Sequence, residues 1–187
     1  MNRPLLALFS ALSLGFALSA SADETIPGPQ TGDAFPSLTA RDQAGQARSL
    51  AELAGEKGLV VAFVRSADWC PFCQRQLVDL NQRLPEFQSL GLTVVSISVD
   101  EVAEIESFAT EQDIAYTMLA DPAGDINLDL GIRDEQYPVG SAAFGVPRPI
   151  IYILDKQATI RALYMEPTYR TRPDLDVVLS DTAELGL

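Results

Sequence analysis

The chain contains no histidine and only two cysteines. The first absence removes the Ser-His-Asp triad, the Cys-His dyad and every histidine-ligated metal centre. The second leaves two sulfur ligands where a structural zinc ion takes about four, so a mononuclear zinc site within one chain is not expected. Cations are also scarce: 13 Lys and Arg stand against 26 Asp and Glu, for a net charge of −13. A balance this acidic, spread along the chain, argues against nucleic acid and anionic membrane surfaces as partners. No internal repeat or low-complexity tract interrupts the sequence. Chemistry is left to Cys, carboxylates, Lys, Arg, Tyr or backbone amides.

Both cysteines fall within Trp69-Cys70-Pro71-Phe72-Cys73. An apolar run, Leu59 to Val64, precedes them and reads as a buried strand. Leu77, Leu80, Leu84 and Phe87 follow at helical spacing and read as core. The C-x-x-C pair therefore sits at a strand-to-helix junction, where free N–H groups and the helix dipole favour a thiolate. The expectation is that Cys70 is the low-pKa nucleophile and Cys73, one turn along, closes a disulfide with it. A purely structural disulfide at this spacing would close almost no loop and stabilise little. Thiol–disulfide or thiol–peroxide chemistry is the reading with a nucleophile ready.

The N-terminus has the form of a secretory signal peptide over residues 1–22. Arg3 supplies a cationic start, Leu5 to Ala20 is uncharged and apolar, and Ala20-Ser21-Ala22 fits a small-x-small cleavage site. An uncleaved anchor is the alternative, although the run is short for a span of about 20 residues. Export across the inner membrane to a periplasmic, disulfide-permissive compartment follows, and a lone C-x-x-C there reads as catalytic. Residues 23–32, rich in Pro, Gly and polar side chains, read as an extended leader, and residues 33–187 as one domain.

Within that domain the elements alternate. A strand or loop from Phe35 leads to a turn at Asp42–Gly45, and Ser49 caps a short helix at Leu50–Ala54. After strand Leu59–Val64 a single helix is expected to Leu90, closed by Gly91. Strand Leu92–Val99, a helix opened by Asp100, a short strand at Tyr116–Leu119 and a helix ending near Leu130 follow. Ile150–Leu154 and Thr159–Tyr164 form a hairpin before a terminal helix at Asp174–Leu185. The order β-α-β-α-β-α-β-β-α predicts an α/β domain, a central mixed sheet flanked by helices on both faces.

Several short motifs go further. They are Phe35-Pro36 followed by Asp42-x-x-Gly45 and Ser49-Leu50; Phe63-Val64-Arg65 ahead of the cysteine motif; and Ala120-Asp121-Pro122-x-Gly124. To these add Val146-Pro147-Arg148-Pro149 before Ile153-Leu154-Asp155, and Tyr169-Arg170-Thr171-Arg172-Pro173. Together, over about Asp33 to Leu179, the chain resembles thioredoxin-fold redoxins, specifically the peroxiredoxin-like AhpC/TSA family with a W-C-P-[FY]-C site. The resemblance implies a thioredoxin-like fold, Cys70 and Cys73 as the catalytic pair and Pro149 as a cis-proline facing them. It implies substrate contacts from Trp69, Pro71, Phe72 and Arg148, with no metal or other cofactor. Arg65, Arg148, Arg170 and Arg172 are candidates to stabilise a thiolate, and Asp68 to raise the Cys70 pKa. Peroxiredoxins proper carry a threonine three residues before the reactive cysteine; counted from Cys70 that position is Ala67. Pro71-Phe72 is closer to the Pro-Tyr of glutaredoxins than to the Gly-Pro of thioredoxin.

Two classes of function stand at this point. One is an exported redox enzyme, either a thiol peroxidase acting on hydroperoxides or an oxidoreductase acting on protein disulfides, with a thiol reductant as partner. The other is a redox-sensing or binding module on the same scaffold.

Overall fold

The computed structural model describes residues 26–187. The expected signal peptide lies outside the described residues. The chain forms β1 (Thr39–Asp42), β2 (Ala47–Ser49), α1 (Leu50–Leu53), β3 (Gly58–Phe63), α2 (Pro71–Gln82), α3 (Leu84–Ser89) and β4 (Leu92–Ser98). There follow α4 (Val102–Glu111), β5 (Thr117–Ala120), α5 (Asp125–Asp129), β6 (Ile150–Asp155), β7 (Ile160–Met165) and α6 (Leu175–Glu184). Among the described residues the strands make one mixed sheet in the order β2-β1-β5-β4-β3-β6-β7. β3 pairs parallel to β4 and antiparallel to β6.

β3 is buried along its whole length, so both of its faces carry apolar side chains. Val60, Ala62 and Val64 face one core, with Leu77, Leu80, Phe87, Ile105, Phe108 and Val178 from α2, α3, α4 and α6. Leu59, Val61 and Phe63 face the other, with Phe35, Leu50, Leu130, Ile132 and Tyr152. The period-2 alternation of one strand thus builds two cores. Each fully buried Leu or Phe contributes about 1.5–3 kcal/mol.

The α/β class, the mixed sheet and the helices on both faces agree with expectation. Ser49 caps α1 in a reciprocal box with Glu52. Four details differ. The N-terminal segment is a β1–β2 hairpin rather than one strand or loop. The expected single helix to Leu90 is two, because Pro85 has no N–H to continue the ladder, and the chain breaks at Arg83 before restarting as α3. Asp100 does not open α4, whose cap is Glu101 in a box with Glu104. The described part of the leader is not merely extended: Gly32 donates its N–H to Ile160 O at 2.8 Å, and Ile26 packs on the second core.

Gly58 starts β3 where the backbones of β3 and β6 nearly touch. A Cβ there would lie 1.9 Å from the Leu154 carbonyl oxygen, which is backbone and cannot swing aside. At Gly45, in the β1–β2 turn with φ +75°, a Cβ would meet nothing within 4 Å. Gly58→Ala is therefore expected to cost roughly 3 kcal/mol or more, against about 1 kcal/mol for Gly45→Ala. Urea unfolding of the two variants measures the difference; equal costs would contradict the close approach.

Candidate active site

The sheet brings the site together at the C-terminal end of β3. Val64 continues the strand and donates its N–H to Ile97 O at 2.9 Å. The chain then turns through residues 65–69 into α2. Cys70 is the N-cap of that helix, Pro71 opens its first turn and Cys73 lies inside it. The register Phe63↔Ile150 sets the segment before β6, including Pro149 and Arg148, at the same end of the sheet.

The turn is held by a buried carboxylate. Asp100, 2 % exposed, accepts the Ser66 hydroxyl on Oδ1 at 2.5 Å. Its Oδ2 accepts the Ala67 N–H and the Ser98 hydroxyl, each at 2.6 Å. Ser66 Oγ in turn accepts the N–H groups of Asp68 and Trp69 at 3.0 Å. Such a network is stable only when fully satisfied, and here it fixes the backbone that faces the sulfurs. Asp100 and Ser66 were not legible as site residues; the buried S-x-D at the end of an apolar strand, Ser98 to Asp100, was the only trace.

Both thiols are free and buried, Cys70 at 2 % and Cys73 at 0 % exposure. The groups around the two sulfurs act on them in opposite directions. The Cys73 sulfur receives the Cys70 thiol, the backbone N–H groups of Ser66 and Arg65, and Arg172, whose Nη2 lies 3.2 Å away. The Cys70 hydrogen bond is the largest of these effects. Against the opposing cost of burial, they bring the Cys73 thiol down from 9.0 to about 6. Cys70 moves up, because its proton is shared toward Cys73, its surroundings are dry, and a second negative sulfur would stand beside the first. Proton sharing between the two sulfurs, together with the donors around Cys73, favours negative charge on Cys73 over Cys70. Position at the helix start favours a thiolate on Cys70, whereas side chains and amides from distant residues favour one on Cys73.

Arg172 is one of the four arginines that the sequence offered as thiolate partners. Its backbone lies in the segment 166–173, which crosses the site before α6, and its Nη1 donates to the carbonyls of Tyr169 and Thr171. Arg65, 5 % exposed, has no carboxylate partner among the described residues. Its guanidinium lies 4.2 Å from the Tyr169 ring centroid, 4.9 Å from Tyr137 and 5.2 Å from Trp69. Tyr169 also meets Phe72 edge-on at 6.0 Å. Tyr137 and Tyr169 carried no sequence signal as cage residues, since nothing local ties them to Arg65.

The other expected residues are placed as follows. Trp69 is 43 % exposed beside the buried pair, the exposure a substrate-facing aromatic needs. Pro71 is exposed and Phe72 half-buried. Arg148 and Pro149 line a polar cavity with Arg133, Glu166 and Tyr169. Pro149 is trans: among the described residues no peptide bond is cis. The segment enters β6 already paired, through an Arg133↔Pro147 bridge and the Arg148 N–H to Ile132 O at 2.8 Å, so the chain has no bend for a cis bond to make.

The division of charge is measurable in the reduced protein. Thiolate absorbance at 240 nm is expected to titrate with a midpoint near pH 6 and to persist in Cys70→Ser, whose hydroxyl still donates. It is expected to be lost at pH 7 in Cys73→Ser, and its midpoint to rise in Arg172→Gln. A neutral-pH thiolate that survives Cys73→Ser would return the charge to Cys70.

Comparison with known proteins agrees with this architecture. The AhpC/TSA family profile matches residues 31–163. The chain is 29 % identical over 153 residues to the chloroplastic peroxiredoxin Q of Populus jackii, covering 81 % of this chain and 68 % of that one. It is 30 % identical over 129 residues to a putative peroxiredoxin of Mycobacterium tuberculosis, covering 69 % and 80 %. It spans 58 % of the chloroplastic peroxiredoxin Q of Oryza sativa subsp. japonica, at 28 % identity. Among solved structures, the thiol peroxidase from Chromobacterium violaceum superposes with a TM-score of 0.70 at 19 % identity, over 87 % of this chain and 93 % of that one. The peroxidoxin BcpB from Mycobacterium tuberculosis gives 0.68 at 20 % identity, over 83 % and 95 %.

Proposed function

The chain belongs to the AhpC/TSA family, and from that premise we propose that it is a thiol peroxidase whose peroxide-reactive sulfur is Cys73 and whose resolving thiol is Cys70. The observation that carries this reading is the convergence of Arg172 and the Cys70 thiol on the Cys73 sulfur. Counted from Cys73, the position that peroxiredoxins proper fill with threonine is Cys70, so a thiol stands where that hydroxyl donor stands. Ala67 then ceases to be a departure.

The steps follow from the charges. The Cys73 thiolate attacks the terminal oxygen of a hydroperoxide. An S–O bond forms, the O–O bond breaks, and the alkoxide leaves. Arg172 stabilises the negative charge as it moves from sulfur to oxygen. The nearest acidic proton is that of Cys70; transferred to the alkoxide, it yields the alcohol and a Cys70 thiolate. That thiolate attacks the Cys73 sulfenic acid, closes the Cys70–Cys73 disulfide and expels hydroxide. Peroxide oxygen is reduced, the sulfur pair is oxidised by two electrons, and a thiol reductant restores the pair. The partners of the reading are a hydroperoxide on one side and a thiol on the other.

Single-turnover peroxide consumption by the reduced protein tests the assignment. Cys70→Ser is expected to consume one equivalent and stop at a sulfenate that dimedone traps on Cys73. Cys73→Ser is expected to lose at least a hundredfold in rate, the usual consequence of removing a nucleophile. Trapping on Cys70 alone would overturn the roles, and no peroxide consumption by the wild type would overturn the function. Exchange with protein disulfides is a second reading, favoured by the exposure of Trp69; insulin reduction outpacing peroxide reduction would select it.

The compartment belongs to the same proposal. A disulfide cycle in an oxidising compartment agrees with the signal-peptide pattern of Met1 to Ala22. Expression of the full chain in a Gram-negative host is expected to yield a periplasmic protein beginning at Asp23. Recovery of Met1 in the cytoplasmic fraction would remove export.

A further inference from the structure

The distribution of arginine pairing is uneven. Arg48, Arg83, Arg133 and Arg161 each have a carboxylate within ion-pair distance. Around the cysteines, among the described residues, Arg65, Arg75, Arg170 and Arg172 have none. Three of them stack on rings instead, Arg65 over Tyr169 at 4.2 Å, Arg75 over Phe72 at 4.8 Å and Arg170 over Tyr169 at 5.6 Å, while Arg172 reaches Cys73 Sγ. In a chain with 26 acids and 13 bases, unpaired cations gathered at one place are not an average surface.

Three of them meet in one cavity of ≈ 180 Å³. Arg75, Arg170 and Arg172 line it, with Phe72 and Leu175 as apolar walls and Asp79 as its one carboxylate. The space is too small for a drug-sized ligand and suits a carboxylate group with a short chain. Arg172 joins it to the sulfurs, since its Nη2 contacts Cys73 Sγ at 3.2 Å while its buried Nε has no partner.

Resting on the peroxidase reading, we propose that this arginine cavity binds the carboxylate of a small anionic thiol, which is the reductant of the Cys70–Cys73 disulfide. Charge selects the reductant rather than the oxidant. Hydroperoxides arrive as neutral molecules, so cations at the cavity rim do not attract them. An attacking thiolate is negative at its reacting atom, and a carboxylate adds a second charge. The thiolate attacks Cys70, forming a mixed disulfide and breaking the Cys70–Cys73 bond. Cys73 leaves as the thiolate, being the sulfur that Arg172 stabilises. A second thiolate attacks the sulfur of the bound thiol, releasing the small-molecule disulfide and a Cys70 thiolate that takes up a proton. Two thiols are oxidised and the protein pair is reduced.

The test uses the full chain oxidised with diamide, so that it stands whether or not the protein reduces peroxide. Reduction rates, each normalised to thiolate concentration, are compared for 3-mercaptopropionate, 2-mercaptoethanol and cysteamine. The anionic thiol is expected to react about tenfold faster than the neutral one at low salt, with cysteamine slowest. The ratio of the 3-mercaptopropionate rate to the 2-mercaptoethanol rate is expected to fall to about one at 1 M NaCl and in the double variant Arg75→Gln/Arg170→Gln. Equal rates for the anionic and neutral thiols, or a preference that survives the double variant, would overturn the proposal. Failure of peroxide consumption with this preference intact would instead remove the peroxidase reading.

Discussion

The contact between the Arg172 guanidinium and the Cys73 sulfur, 3.2 Å long and without solvent at the sulfur, is the interaction around which the site is organised. A thiolate away from water is costly unless donors replace its hydration. Hydrogen bonds to a charged acceptor are worth about 1.5–3 kcal/mol each. Arg172 donates here at 3.2 Å, and the Cys70 thiol and the amides of Arg65 and Ser66 act on the same sulfur in the thiolate's favour. None of the four is effective unless its own position is fixed, and each is fixed by a different part of the fold.

The amides depend on Asp100, which ties Ser66 and Ala67 to the end of β4 through a buried carboxylate. The Cys70 thiol depends on α2, where Cys70 is the N-cap and Pro71 sets the first turn. Arg172 depends on the segment between β7 and α6, and α6 is anchored by Val178 in the core beside β3. The parallel β3–β4 pair sets the first two supports side by side, and the antiparallel β6–β7 hairpin carries the chain back over them. Reactivity at one atom thus rests on strand order across the sheet.

The rim around this atom follows a second rule. Arg65 and Arg75, near the sulfurs, are held by aromatic faces and Arg172 by backbone carbonyls, rather than by carboxylates, so their charge is not cancelled. Cation–π contacts hold a guanidinium at about 0.5–2 kcal/mol without neutralising it. That choice leaves their positive charge beside the sulfur pair, within a molecule whose overall charge is −13.

The sequence by itself determined the fold class, the sheet with helices on both faces, the place of the C-x-x-C pair at the end of β3, and Arg172 as one candidate among four. These are legible because they rest on local periodicity, caps and spacing: an apolar run, a Pro at a helix start, a serine and glutamate three apart. Only the tertiary structure shows which arginine reaches a sulfur, that Pro149 is trans, and that Asp100 holds the turn rather than opening α4. The reason is physical. The pKa of a buried thiol is set by donors within a few ångströms, and here those donors come from residues as far apart in the chain as Ser66 and Arg172. Spacing along the sequence says nothing about such distances until the sheet has brought them together.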